Sequence, residues 1–280
     1  MPVSIPNNAV GVLHPGEMGS AVGAAARATG ARVVWASEAR SAASRGRAEA
    51  DGLEDVCTLK QLVAESRVIL SVCPPAAALE VAREVAALRF AGTYVDANAV
   101  APHTTRVVGD TLTTAGATFV DGGIIGPPPR RRGTTRLYLS GDGAGEVAAL
   151  FSEGALEAIA IKGPIGAASA LKIAYAAWNK GSQALIMAVR SLAASEAVDD
   201  ALLAEWARSM PELRQRSEQA VAANTRKAWR FVGEMDEIAA TFLAAGLPDG
   251  FHQAAADVYR RLARWKDVPA PASFADLLKM

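Results

Sequence analysis

Apolar residues in the first half of the chain fall into short unbroken runs, while those in the second half recur every three or four positions. Val10–Leu13, Val33–Ala36, Val68–Val72, Tyr94–Asp96 and Thr118–Val120 have the continuous apolar character of strands buried on both faces. Leu137–Ser140 adds a further strand, followed by a Gly-Asp-Gly turn and a helix over 145–153. Amphipathic stretches over 41–50, 59–64, 76–88 and 102–115 predict helices between the strands. From Pro164 the strand pattern stops. Residues 165–194 contain no proline and predict one long helix, and everything after it reads as helix broken at Asp199-Asp200, Pro211, Asn224 and the 246–250 turn. The pattern predicts an α/β domain over 1–163 and an all-α domain over 164–280, joined by that long helix.

The connection between the first strand and the first helix is the most informative local feature. His14-Pro15-Gly16 breaks the strand, and Gly16, Gly19 and Gly23 leave the start of the helix almost bare of side chains. A helix that begins this way presents free N–H groups and a positive dipole end, which suit a pyrophosphate. The strand over 32–36 follows after one helix length, so the segment reads as the βαβ unit of a Rossmann-type dinucleotide fold. His14 stands where the first glycine of GxGxxG is expected.

Charge and composition remove several function classes. Lys plus Arg and Asp plus Glu are both 29, so no net field draws nucleic acid or an anionic membrane. Two cysteines, Cys57 and Cys73, form no disulfide framework, and no residue set has the spacing of a metal site. The opening residues lack a basic stretch followed by an apolar one, and no apolar run of spanning length is unbroken. These features lead us to expect a soluble, cytoplasmic protein.

Candidate chemistry gathers where the strands end. After the second strand, Ser37, Arg40, Ser41 and Arg45 suit a ribose 2′-phosphate, whereas Glu38 lies beyond the usual place for an acid that binds a 2′-hydroxyl, so the reading favours NADP and keeps NAD as the alternative. Cys73, Pro74 and Pro75 build a rigid turn after the fourth strand, and Cys73 reads as a small buried residue. Asn98 offers a donor and an acceptor to a nicotinamide ribose or a substrate, and His103 reads as a solvated residue at a helix start. Residues 121–133 read as a Gly- and Pro-built loop with three arginines, Arg130 to Arg132, suited to an anionic group.

These motifs together resemble the β-hydroxyacid dehydrogenases, which include 3-hydroxyisobutyrate and 6-phosphogluconate dehydrogenases, and most closely the branch with a DUF1932 C-terminal domain. The likeness covers essentially the whole chain. His14-Pro15-Gly16-Glu17-Met18-Gly19 is similar to the family's GLGxMG turn, and Val72 to Ala77 to its VPPxxA turn with a cysteine inserted. The substrate motif DAPVSGG falls on Asp121 to Pro127, and the catalytic lysine on Lys172. The resemblance implies an NAD(P)H-dependent dehydrogenase in which His14, Pro15, Gly16, Glu17, Met18, Cys73, Pro74 and Asn98 line the cofactor. It also implies that Gly122, Gly123, Ile125, Gly126 and Arg130 meet a small substrate. Two positions depart from the family: Ile125 replaces its substrate-binding serine and Ala176 its asparagine.

Helical spacing then adds Tyr175 and Asn179 on the Lys172 side, with Asn179 able to supply the missing amide one turn later. Trp178 lies opposite and suits core or dimer packing. Met235 and His252, with neighbouring aromatics, suggest an apolar substrate wall, and the apolar helix faces suggest a homodimer. The imine reductases share this architecture but usually lack the lysine. A non-catalytic NAD(P)-binding dimer is the alternative from another class.

Overall fold

The computed structural model describes residues 9–267, 269, 273–277 and 279, so the reading of the first eight residues lies outside the described residues. The chain divides into two compact units, Met1–Lys172 and Ile173–Met280, with the division nine residues beyond the change in pattern at Gly163.

The first unit is built on β1 (Ala9–Leu13), β2 (Val33–Trp35), β3 (Glu54–Asp55), β4 (Ser66–Ser71), β5 (Thr93–Asp96), β6 (Thr118–Ile125), β7 (Thr135–Ser140) and β8 (Leu156–Ala160). Its helices are α1 (Glu17–Arg27), α2 (Ala42–Ala50), α3 (Leu59–Glu65), α4 (Ala78–Ala87), α5 (Pro102–Thr114) and α6 (Ala144–Ala149). The strands form one sheet in the order β3-β2-β1-β4-β5-β6-β7-β8. All neighbours from β3 to β6 run parallel, β7 runs antiparallel to β6, and β8 is parallel to β7. Helices cover both faces, which is why every residue of β1 is buried and the run is apolar throughout.

Strand order reverses between β1 and β4, and open α/β sheets bind ligands outside the carboxyl ends of strands at such a reversal. At that edge Leu13, Ser71, Asp96 and Asp121 pair in register across β1, β4, β5 and β6.

Two features differ from the sequence reading. The segment over 121–125, expected as loop, continues β6: Gly122 pairs with Leu139 and Gly123 with Tyr138 of β7. Backbone pairing to an antiparallel neighbour outweighs the low strand propensity of two glycines. The edge strands β3 and β8 were not foreseen, since β3 is two exposed acidic residues and β8 follows a helix that stops at Ala149.

The second unit is helical. The long helix α7 (Ala167–Ser195) begins in the first unit and continues into the second, where α8 (Asp199–Ser209), α9 (Glu212–Asn224), α10 (Ala228–Ala244), α11 (Gly250–Leu262) and α12 (Phe274–Leu277) follow. Its core joins Ile173, Ala184 and Met187 of α7 to Met235, Ile238 and Tyr259. Buried Arg190 is satisfied by Asp199, at 2.5 and 2.7 Å, and by Ser217 Oγ at 2.7 Å. Among the described residues no helix is long and apolar enough to cross a membrane.

Candidate active site at the carboxyl edge of the sheet

The turn from β1 to α1 keeps its shape despite the histidine. His14 adopts φ +63°, the left-handed conformation a glycine would take there. Its carbonyl accepts a 2.7 Å bond from the Gly16 N–H, and a Cβ on Gly19 would stand 2.5 Å from that same oxygen. Gly19 is therefore required for the helix to begin so close to the turn. The N–H groups of the first turn of α1 have no acceptor within the helix.

They open on a cleft of about 420 Å³ walled by the turn, by Arg40, Ser41 and Ser44, and by Val72, Cys73 and Pro74. Two nitrogens, His14 Nδ1 and Arg40 Nε, are buried there without a hydrogen-bond partner. Burial, reinforced by the Arg40 charge, pushes the His14 imidazole down to about 4, so it is neutral at pH 7. Unsatisfied nitrogens beside free helix N–H groups fit the phosphates of a dinucleotide.

The neighbouring residues are held firmly. Ser41 caps α2 through Ser44 N, and the Arg45 guanidinium donates to the Ser37 carbonyl at 3.0 Å. Glu17 is exposed at the start of α1, Met18 is half-buried and Pro15 buried. Cys73 donates its N–H to Asn98 Oδ1 at 2.6 Å, and burial pushes its thiol up to about 11, which leaves it unreactive at neutral pH. The Asn98 amide also donates to Ser71 Oγ at 3.1 Å, so it ties β4 to β5.

Lys172 lies where α7 starts against β6. Asp121 anchors that start: Oδ2 accepts from Gly166 N, Ala168 N, Ser169 N and Ser140 Oγ, and Oδ1 from Ser169 Oγ at 2.6 Å. Thr105 of α5 adds a 2.9 Å bond to Ser169. Gly123 permits the approach, because a Cβ there would stand 2.6 Å from the Ala168 carbonyl and 3.2 Å from Lys172 Cβ. Lys172 is half-buried, and burial lowers its ammonium to about 8 against the opposing pull of Asp96. An amine that titrates near neutrality can give and take a proton there.

Gly122 and Ile125 are buried in β6, and Gly126 turns the chain at φ +127°. Arg130, expected to face an anionic substrate, is paired instead with Asp51 at the end of α2. Arg132 donates to the Glu153 carbonyl. In the helical unit Tyr175 is half-exposed, and Asn179 Oδ1 accepts a 3.3 Å bond from Gln183. Met235, expected on a pocket wall, is wholly buried in the helical core. His252 packs on Phe242 at 4.3 Å between ring centres, and burial lowers its imidazole.

Asp96 and Asp121 escaped the site reading. The available signal was an acid closing each of two successive apolar runs, Tyr94-Val95-Asp96 and Phe119-Val120-Asp121.

Fold and cleft define a dinucleotide-binding α/β domain followed by a helical domain. The chain belongs to the family of the NAD binding domain of 6-phosphogluconate dehydrogenase, whose model matches residues 9–160, and the domain of unknown function DUF1932 matches residues 193–262. No curated protein sequence matches it significantly. Among solved structures, a conserved hypothetical protein from Sinorhizobium meliloti is 24% identical with a TM-score of 0.78, covering 98% of this chain and 93% of that one. The 3-hydroxyisobutyrate dehydrogenase of Mycobacterium tuberculosis, solved with L-serine, is 17% identical with a TM-score of 0.76 over 97% and 98% of the two chains. The reductive aminase of Aspergillus terreus with NADPH and ethyl levulinate is 17% identical with a TM-score of 0.57, again over 97% and 98%. At these identities the likeness is one of fold.

Proposed function

We propose that this protein is an NADP(H)-dependent oxidoreductase that interconverts the carbonyl and alcohol forms of a small substrate, with Lys172 as the proton donor and acceptor. The observation that carries the reading is a lysine held near neutrality at the sheet edge that also bears the nucleotide turn. The nicotinamide, when bound, supplies or accepts the hydride. The chain's own residues do the rest. The α1 N-terminus and His14 receive the phosphates, and Arg40, Ser41 and Ser44 face the place where a 2′-phosphate favours NADP over NAD. Lys172 Nζ delivers a proton to the carbonyl oxygen during reduction and removes one from the hydroxyl during oxidation. The position of Ile125, in place of a serine, favours a substrate with an apolar part. A second copy of the chain covers the apolar stripe of α7.

Lys172 sets the pH dependence. Reduction needs the ammonium, so its rate should fall as pH rises through about 8, while oxidation needs the amine and should rise over the same interval. The direct test is titration of wild type and K172M with NADPH and with NADH by nicotinamide fluorescence, beside turnover on panels of aldehydes, ketones and imines. K172M should bind NADPH unchanged and lose roughly 10²–10⁴-fold in turnover. Full turnover by K172M would remove Lys172 from the chemistry, and imines as the sole substrates would move the protein to the imine reductases.

A further inference from the structure

Asp96 and Asp121 end neighbouring strands in register, yet they are satisfied very differently. Asp121 accepts from five donors, four at the start of α7 and Ser140 Oγ on β7. Asp96, 1% exposed, receives the Asn98 N–H at 2.9 Å on Oδ1, while Oδ2 is buried without a hydrogen-bond partner. A buried carboxyl oxygen left bare is costly, and natural proteins rarely keep one without use.

The geometry shows what faces it. Side chains alternate along a strand, so Asp121 and Gly123 share one face of β6, and that face carries α7 and Lys172. Asp96, in register with Asp121, projects to the same face of the sheet. The two residues thus approach the same bare stretch of β6 on one face of the sheet, Asp96 from β5 and Lys172 from α7.

We propose that Asp96 is a positioning residue for Lys172: its buried, unpartnered carboxylate oxygen, on the face of the sheet that carries Lys172, is the counter-charge that orients the ammonium. The inference deepens the proton-transfer reading of Lys172 and rests on it for its meaning in catalysis. Other groups around the pair are Asp121 on β6, the Tyr94 phenol on β5, the Cys73 thiol after β4 and Arg106 of α5, which lies over Gly166. Burial, with Asp121 adding, raises the Asp96 carboxyl to about 6, while hydrogen bonding from Asn98 and, to a smaller extent, the Lys172 charge oppose the rise. Between about 6 and 8 both members of the pair are therefore charged, and each supports the charge of the other.

The test reads Lys172 directly in the full chain without cofactor or substrate. Trace acetylation by acetic anhydride across pH 6–10, with the Lys172 peptide quantified by mass spectrometry, gives its titration midpoint. D96N, which keeps shape and removes charge, should lower that midpoint by about one pH unit, and D96E should restore it. An unchanged midpoint in folded D96N overturns the proposal. If D96N does not fold, the same coupling is read from the other partner. In K172M the Asp96 ¹³Cγ resonance should titrate at higher pH than in wild type, and equal midpoints would overturn the proposal. Since neither readout involves turnover, a protein that shows the coupling but reduces nothing refutes the catalytic reading alone.

Discussion

His14 shows how one residue alters the meaning of a motif without breaking it. A non-glycine residue in the left-handed region costs about 1–2 kcal/mol, and the glycine that would avoid this cost loses about 0.4–1 kcal/mol through its freer unfolded chain. H14G should therefore raise stability at pH 7 by ~0.5–1 kcal/mol in denaturant titrations. The imidazole's pKa falls from 6.5 when unfolded to about 4 when folded, so its contribution is complete above 6.5 and is lost as pH falls towards 4. H14G should flatten stability over that interval and weaken NADPH binding, because it removes the buried Nδ1 from the cleft. A variant as pH-sensitive as wild type would show that His14 is solvated. The turn was legible in the sequence because strand, break and bare helix lie within one short segment. Asp96 was not, since its significance comes from a strand 25 residues further on and a helix beyond that.

At the scale of elements, the meeting of β6 and α7 places Lys172, and it depends on an absence. Gly123 has no side chain where the Ala168 carbonyl passes, and Asp121 fills the free N–H groups of the helix start. G123A should push α7 off the strand. A destabilisation of about 1–3 kcal/mol is expected from the overpacking, and turnover should fall further than stability accounts for because Lys172 moves with the helix. Denaturation midpoints and kcat measured on the same preparation separate the two effects, and equal turnover would mean that the helix start is not what positions the lysine. The long, strongly periodic or continuously apolar elements were legible: the five parallel strands and the helix expected over 165–194, observed as Ala167–Ser195. Residues 121–125 were not, because glycines read locally as a loop while the pairing of this segment with β7 is decided by residues 136–140, well outside the local window. The site residues followed the same division. The nucleotide turn is a local pattern, whereas the engagement of Arg130 by Asp51 joins two loops 79 residues apart.

For the whole molecule, the helical unit leaves an apolar surface that a single chain does not cover. Trp178, Leu185 and Leu192 lie one heptad apart on α7 and are 70%, 63% and 64% exposed. Trp178 and Leu185 also border a groove of about 570 Å³ with Phe251 of α11, which is 81% exposed, and the groove floor is mostly alanine and glycine. Isolated exposed apolar residues are ordinary, but a stripe that runs for two heptads beside a groove is the pattern of a self-complementary helical interface. A lasting dimer needs about 1,200–2,000 Å² of total buried surface, so the stripe and groove together would form the centre of such an interface. Light scattering after size exclusion should give twice the 29.0 kDa chain mass at micromolar concentration. Replacing Leu185 and Leu192 with Glu should give a folded monomer, because the charges fall on the stripe and leave the core formed by Ala184 and Met187 untouched. A wild-type monomer would overturn the dimer. A dimer that survives both charges would place its interface elsewhere, leaving the α7 stripe to a different partner.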